Sequence, residues 1–114
     1  MASVVKVFRP EGVFTAHLAS AMTKDLNANL EVGVRTVLVD LQQVHFMDSS
    51  GLGILTLMHT KTRLAGGRLY LCSLPEQVRS LLDIADMEGV FHAFANEAEF
   101  NATIVKKNQA VLVS

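Results

Sequence analysis

Residues 35–53 read Arg-Thr-Val-Leu-Val-Asp-Leu-Gln-Gln-Val-His-Phe-Met-Asp-Ser-Ser-Gly-Leu-Gly and contain the two signals that decide the fold. The segment 35–41 is β-branched and nearly continuously apolar, which is typical of a central strand covered on both faces. The segment 45–47 then leads into Asp-Ser-Ser-Gly at 48–51, and Asp and Ser are preferred helix N-caps. Apolar residues recur at helical spacing from there to Gly66-Gly67, a strong helix stop.

Strands and helices alternate on both sides of this stretch. Apolar patterning predicts strands at 4–8 and 69–72, a short strand near 90–94, and helices over 15–31, 78–85 and 97–107. The sequence Ser73-Leu-Pro-Glu76 has the spacing of a capping box in front of the third of these helices. Alternation of this kind predicts an α/β sheet layered with helices.

Composition limits the classes of function. The chain has 114 residues, half of them apolar and 18% charged, which predicts a single globular domain over residues 1–114. A formal net charge of −1 argues against direct nucleic-acid binding. Neither a signal peptide nor a membrane-spanning stretch is recognisable, so we expect no membrane insertion and a cytoplasmic location. Cys72 is the single cysteine, which excludes an intramolecular disulfide.

The common signatures of catalysis and cofactor binding are missing. The four histidines are far apart in sequence and form no pair with ligand spacing, so no metal site is expected. Neither of the two common phosphate-cradling glycine loops occurs, and no Gly-x-Ser-x-Gly elbow is present, so we expect no cofactor and no enzyme. Cys72 fits a small apolar core residue better than a nucleophile. An enzyme would have to assemble its site from scattered residues.

Two interpretations of residues 48–53 are open. In the first, Asp48 and the serines only cap a helix. In the second, an exposed hydroxyl at the positive end of the helix dipole accepts a phosphoryl group, which the helix tolerates and a binding partner does not. We expect Leu52 near the surface as a contact residue, with a half-buried core leucine as the alternative. Phe46 and Met47 fit strand core better than interface.

Several segments together resemble STAS domains, the sulfate transporter and anti-sigma antagonist family. They read Val-Leu-Val-Asp-Leu, His-Phe-Met-Asp-Ser-Ser-Gly-Leu-Gly, Ala-Gly-Gly-Arg-Leu-Tyr-Leu-Cys and Pro-Glu-Gln-Val-Arg-Ser-Leu-Leu, in that order. The resemblance is strongest to free-standing bacterial anti-sigma factor antagonists. It implies a single STAS domain with a four-to-five-stranded mixed sheet and about four helices packed mainly on one side.

The resemblance also implies a mechanism of partner switching that regulates sigma-factor-dependent transcription. The unphosphorylated antagonist binds an anti-sigma factor, which is itself a serine kinase. Phosphorylation of the antagonist by this kinase makes the antagonist dissociate, and a PP2C-type phosphatase returns it to the unphosphorylated form. By position the acceptor is Ser49, with Ser50 as the fallback, and the partner-binding residues are Asp48, Ser49, Ser50, Gly51 and Leu52.

One residue departs from the family pattern. Many antagonists have an aspartate after the second strand, whereas this chain has Thr15, which can cap the following helix but supplies no charge. The alternative function is a STAS module of another assembly, such as a lipid-transport complex, a stressosome-like particle or an anion-transporter partner. The expected oligomeric state is a monomer.

Overall fold

The computed structural model describes residues 4–106 and 111–113 of the chain. No helix in this part has the length and apolar character needed to cross a bilayer. Position 107, the expected end of the last helix, lies outside the described residues. The strands are β1 (Val4–Phe8), β2 (Gly12–Phe14), β3 (Thr36–Asp40), β4 (Val44–Met47), β5 (Arg68–Cys72), β6 (His92–Phe94) and β7 (Val111–Val113). The helices are α1 (Ala16–Glu31), α2 (Ser49–Leu64), α3 (Glu76–Ile84) and α4 (Glu97–Phe100), which continues as a π-helical segment, Asn101–Val105.

Five strands form the main sheet in the order β6-β5-β3-β1-β7. Its ladders are all parallel, because helices connect β1 to β3, β3 to β5 and β5 to β6, and parallel neighbours need such crossovers. The α/β class and the expected number of strands and helices are confirmed. The resemblance implied a mixed sheet, with both parallel and antiparallel strand pairs, but every described ladder of this sheet is parallel.

A second, two-stranded sheet connects β1 and β3 of the main sheet to the first two helices. β1 and β3 are neighbours in the main sheet, and each is followed by a three-residue link and a further strand. These further strands, β2 and β4, pair in parallel and lead directly into α1 and α2. The small sheet therefore brings the beginnings of the two helices side by side, and α1 and α2 pack against each other.

The core is divided between the two faces of the main sheet. Val37 and Val39 of β3 pack with buried residues of α1, α2 and α3, whereas Leu38 packs on the other face with Tyr70 and Phe100. This alternation is what a strand with both faces covered requires. The expectation of helices mainly on one side is confirmed: in the described part of the chain, α4 and the π-helical segment that continues it cover the second face.

The prediction of a capping box before α3 is wrong. The helix begins at Glu76 with Pro75 as its N-cap residue, and no side chain caps it. Ser73 has a left-handed backbone (φ 56°), and its N–H donates to the carbonyl of Phe94 at 3.2 Å. Ser73 is thus tied to the end of β6, which keeps it out of the capping position.

Candidate functional site

The first turn of α2 is organised by Asp48. Its backbone is extended, and its Oδ1 accepts the N–H of Gly51 at 2.7 Å and the hydroxyl of Ser50 at 2.8 Å. Both hydrogen bonds favour the charged carboxylate and so lower the pKa of Asp48, and the bond from the Gly51 amide has the larger effect. The expected N-cap is therefore present.

The two serines of the turn differ in what their hydroxyls do. Both residues are exposed. Ser50 donates its hydroxyl hydrogen to Asp48. Ser49, the first residue of a sixteen-residue helix, forms no side-chain hydrogen bond within the described residues. Its hydroxyl is exposed, and an approaching protein would break no side-chain hydrogen bond of the described structure to reach it.

Gly51 is buried and fixes the position of the helix start. A Cβ added at this position would lie 2.2 Å from the carbonyl oxygen of Phe14, well inside van der Waals contact. The same carbonyl accepts the N–H of Asp48 at 3.4 Å. Glycine thus allows the beginning of α2 to approach the end of β2, and Gly51 serves the site through backbone placement.

Leu52 is only 4% exposed and belongs to the main core cluster. The expectation that it lies near the surface is wrong; Leu52 is a core leucine, and it is buried more deeply than the half-buried alternative. The preceding residue, Gly51, lies close to the Phe14 carbonyl. Because the start of α2 is this close to β2, the Leu52 side chain lies in the core. Leu52 does not present its side chain to a partner in this structure.

An apolar pair on the small sheet is exposed instead. Val13 and Phe46 are partners in the β2–β4 ladder and are 55% and 48% exposed, whereas their neighbours Phe14 and Met47 are fully buried. The expectation of strand core is confirmed for Met47 and wrong for Phe46. Side chains alternate along a strand, so burying Met47 turns Phe46 outward. We call Val13 and Phe46 the β2/β4 patch.

Thr15 lies beside the start of α2. It follows Phe14 directly, just as Asp48 follows Met47, and Phe14 and Met47 are register partners. Thr15 occupies the N-cap position of α1, but its side chain forms no capping hydrogen bond. Thr15 therefore supplies no charge to the site, and the prediction that its side chain caps α1 is wrong.

Gln77 of α3 is a contributor that the sequence did not reveal. Its Oε1 accepts the N–H of Met47, and its Nε2 donates to the carbonyl of the same residue, both at 2.8 Å. The side-chain amide thereby pairs with the last residue of β4 and holds the strand directly before Asp48. A lone glutamine in a helical segment gives no sequence signal of such a contact.

Other candidate groups do not gather at this site. His17, His45 and His92 are exposed on separate elements, and the described residues hold no cluster of three or more metal-ligating side chains. Cys72 is buried, and desolvation raises the pKa of its thiol to about 11. A thiol of that pKa stays protonated at neutral pH, as a core residue does.

Comparison with known proteins identifies the family. The STAS domain model matches residues 2–100, so this chain belongs to the STAS domain family. BtrV of Bordetella bronchiseptica, named as a candidate anti-sigma factor antagonist, is 30% identical over 96 residues, covering 84% of this chain and 82% of BtrV.

Solved structures share the fold at lower identity. Unphosphorylated SpoIIAA, an anti-sigma factor antagonist, superposes with a TM-score of 0.70 at 20% identity, covering 91% of this chain and 93% of SpoIIAA. The STAS domain of a SulP transporter from Vibrio cholerae superposes with a TM-score of 0.66 at 17% identity, covering 92% and 84% of the two chains. Both likenesses show the fold alone.

Proposed function

We propose that this chain is an anti-sigma factor antagonist whose binding is switched off by phosphorylation of Ser49. The observation that carries the proposal is the exposed Ser49 hydroxyl, free of side-chain hydrogen bonds among the described residues, at the start of α2. The relation to BtrV and the fold shared with SpoIIAA supply the class of partner. In this proposal the chain is a binding module, and the anti-sigma factor kinase performs the chemistry.

Ser49 is a better acceptor than Ser50 for a geometric reason. The Ser50 hydroxyl donates to Asp48, whose Oδ1 also accepts the Gly51 amide. Phosphorylating Ser50 would replace that donor with a dianion beside the carboxylate, and the resulting repulsion would disturb the cap. Phosphorylating Ser49 breaks no side-chain hydrogen bond of the described structure.

The phosphate would act on binding and leave folding intact. It adds about −1.5 to −2 charges at neutral pH, and the positive end of the α2 dipole favours an anion there. Asp48 is nearby and contributes further negative charge, so an acidic or apolar partner surface would be repelled. We place that surface over Ser49, Ser50 and the β2/β4 patch, with Asp48 and Gly51 shaping it and Leu52 supporting it from the core.

A phosphorylation assay tests the acceptor. The chain is incubated with its anti-sigma factor kinase and ATP, and the modified residue is mapped by mass spectrometry. We expect one phosphate on Ser49, none on the Ser49→Ala variant, and undiminished modification of the Ser50→Ala control. Undiminished phosphorylation of Ser49→Ala would refute the assignment. A PP2C-type phosphatase should return the modified chain to its starting mass.

A further inference from the structure

A basic cavity lies near the other end of α2. Its volume is about 290 Å³, and its lining includes His59 and Arg63 of α2, Arg68 of β5 and His92 of β6. Arg63 lies fourteen residues after Ser49, which corresponds to roughly 21 Å along a helix. The cavity is therefore separate from the proposed phosphorylation site.

The cavity exists because β6 is shorter than β5. Pairing between the two strands begins at Tyr70 and His92, so Arg68 and Leu69 at the start of β5 have no partner in β6. Strand β6 is the last strand on this side of the sheet. The uncovered start of β5 forms part of the cavity lining, and Val90, just before β6, forms another part.

The charges around the cavity are unbalanced. None of the described residues that line it is an aspartate or glutamate, and neither Arg63 nor Arg68 forms an ion pair within the described part of the chain. The Nδ1 atom of His59 is buried and has no hydrogen-bond partner there. Burial and then the charge of Arg63 lower the pKa of His59. The lowered pKa favours neutral His59, so the positive charge at the cavity comes from Arg63 and Arg68, and an anion would offset it.

Apolar and aromatic groups share the lining. Leu69, Tyr70 and Val90 border the same space, and the ring of His59 packs against Phe91 with a centroid separation of 5.2 Å. A pocket of this size suits a small molecule, with guanidinium groups for its charged part and apolar side chains for the remainder. Guanidinium forks match the oxygen geometry of phosphate groups.

We propose that this cavity binds a small phosphomonoester through Arg63 and Arg68, with the apolar lining contacting its organic group. Two guanidinium groups match the charge of a phosphate dianion. The binding is independent of the Ser49 switch, because the two sites lie at opposite ends of α2. The Ser49→Ala variant should therefore bind the ligand as the unmodified chain does.

Titration of the full chain with phenyl phosphate, followed by calorimetry and by NMR of the histidine rings, tests the proposal. We expect saturable binding that is tighter than that of inorganic phosphate and shifts the resonances of His59 and His92. The Arg63→Gln/Arg68→Gln variant should bind roughly tenfold more weakly or worse. Arg79→Gln, which removes an exposed arginine outside this cavity, is the matched control and should bind normally.

Two results would overturn the proposal. One is the absence of saturable binding by the unmodified chain. The other is equal loss of affinity in Arg79→Gln and in the double variant, which would indicate general charge attraction. Circular dichroism of each variant establishes that it is folded, and both cavity arginines are exposed, so their replacement should not disturb the core.

Discussion

The side-chain amide of Gln77 pairs with both backbone polar groups of Met47, at 2.8 Å each. The Gln77 side chain thus forms with Met47, the last residue of β4, the kind of paired hydrogen bonds that a neighbouring strand would form. Asp48 is the next residue, so the contact connects α3 to the cap of α2. The position of the candidate site depends in part on a helix that contributes no residue to its surface.

Replacement of Gln77 by alanine should destabilise the protein. The N–H and carbonyl of Met47 would lose their partners, and leaving such groups unpaired costs about 1–3 kcal/mol. Chemical denaturation measures the loss, and hydrogen exchange at the Met47 amide localises it. Gln43→Ala is the control, since Gln43 is exposed and its side chain forms no hydrogen bond among the described residues. Equal stability of the two variants would contradict the role of Gln77.

Two glycines of α2 should respond to alanine in opposite directions. Gly51→Ala places a methyl group against the Phe14 carbonyl and should destabilise the fold by about 1–3 kcal/mol. Gly53 is exposed, and a Cβ there meets nothing within 4 Å, so Gly53→Ala should stabilise the helix by about 0.5–1 kcal/mol. Thermal unfolding of both variants checks the pair. A stabilising Gly51→Ala substitution would show that the close approach to Phe14 is not required.

The cap at Asp48 should make stability depend on pH. The folded state lowers the pKa of Asp48, so its contribution is fully present above the pKa of an unfolded aspartate and is lost as pH falls through the folded value. The melting temperature of the unmodified chain should exceed that of Asp48→Asn at neutral pH, with the difference shrinking in acid. Ser50→Ala should raise the Asp48 pKa measured by NMR. A constant difference at all pH values would contradict this account.

The β2/β4 patch should matter for binding more than for folding. Phe46 is half exposed, so Phe46→Ser should lower the free energy of unfolding by only about 1 kcal/mol, roughly half the value for a fully buried phenylalanine. If the patch contacts the anti-sigma factor, the same variant should lower affinity roughly tenfold or more, as interface aromatic residues often do. Val32→Ser, at an 81% exposed valine, is the control. Unchanged affinity of Phe46→Ser would exclude the patch from the interface.

Periodicity in the sequence predicts the main elements well. The continuous apolar run of β3 indicates a strand covered on both faces, and α2 ends before Gly66, whose φ of 87° suits glycine. The predicted strand at 4–8 has the bounds of β1, and the predicted cap is present at Asp48. Each of these features is determined by residues close together in the sequence, so it can be recognised without knowing the tertiary contacts.

Features that depend on tertiary contacts could not be predicted from the sequence. Leu52 is buried because Gly51 approaches Phe14, and the two glycines of the motif look alike in sequence. Phe46 is exposed because the β2–β4 ladder buries Met47, and the short apolar run at 45–47 does not show which face is covered. Ser73 and Glu76 have the three-residue separation of a capping box, but the contact of Ser73 with β6 prevents the cap.

The central claim is that a phosphate on Ser49 abolishes partner binding while the domain stays folded. The most direct measurement is the affinity of the anti-sigma factor for the chain before and after complete phosphorylation at Ser49, with circular dichroism and melting temperature recorded on the same samples. The account predicts strong binding before modification, a loss of affinity of two orders of magnitude or so from charge repulsion at the interface, and little change in folding. Equal affinity of the two forms, or loss of binding together with unfolding, would contradict it.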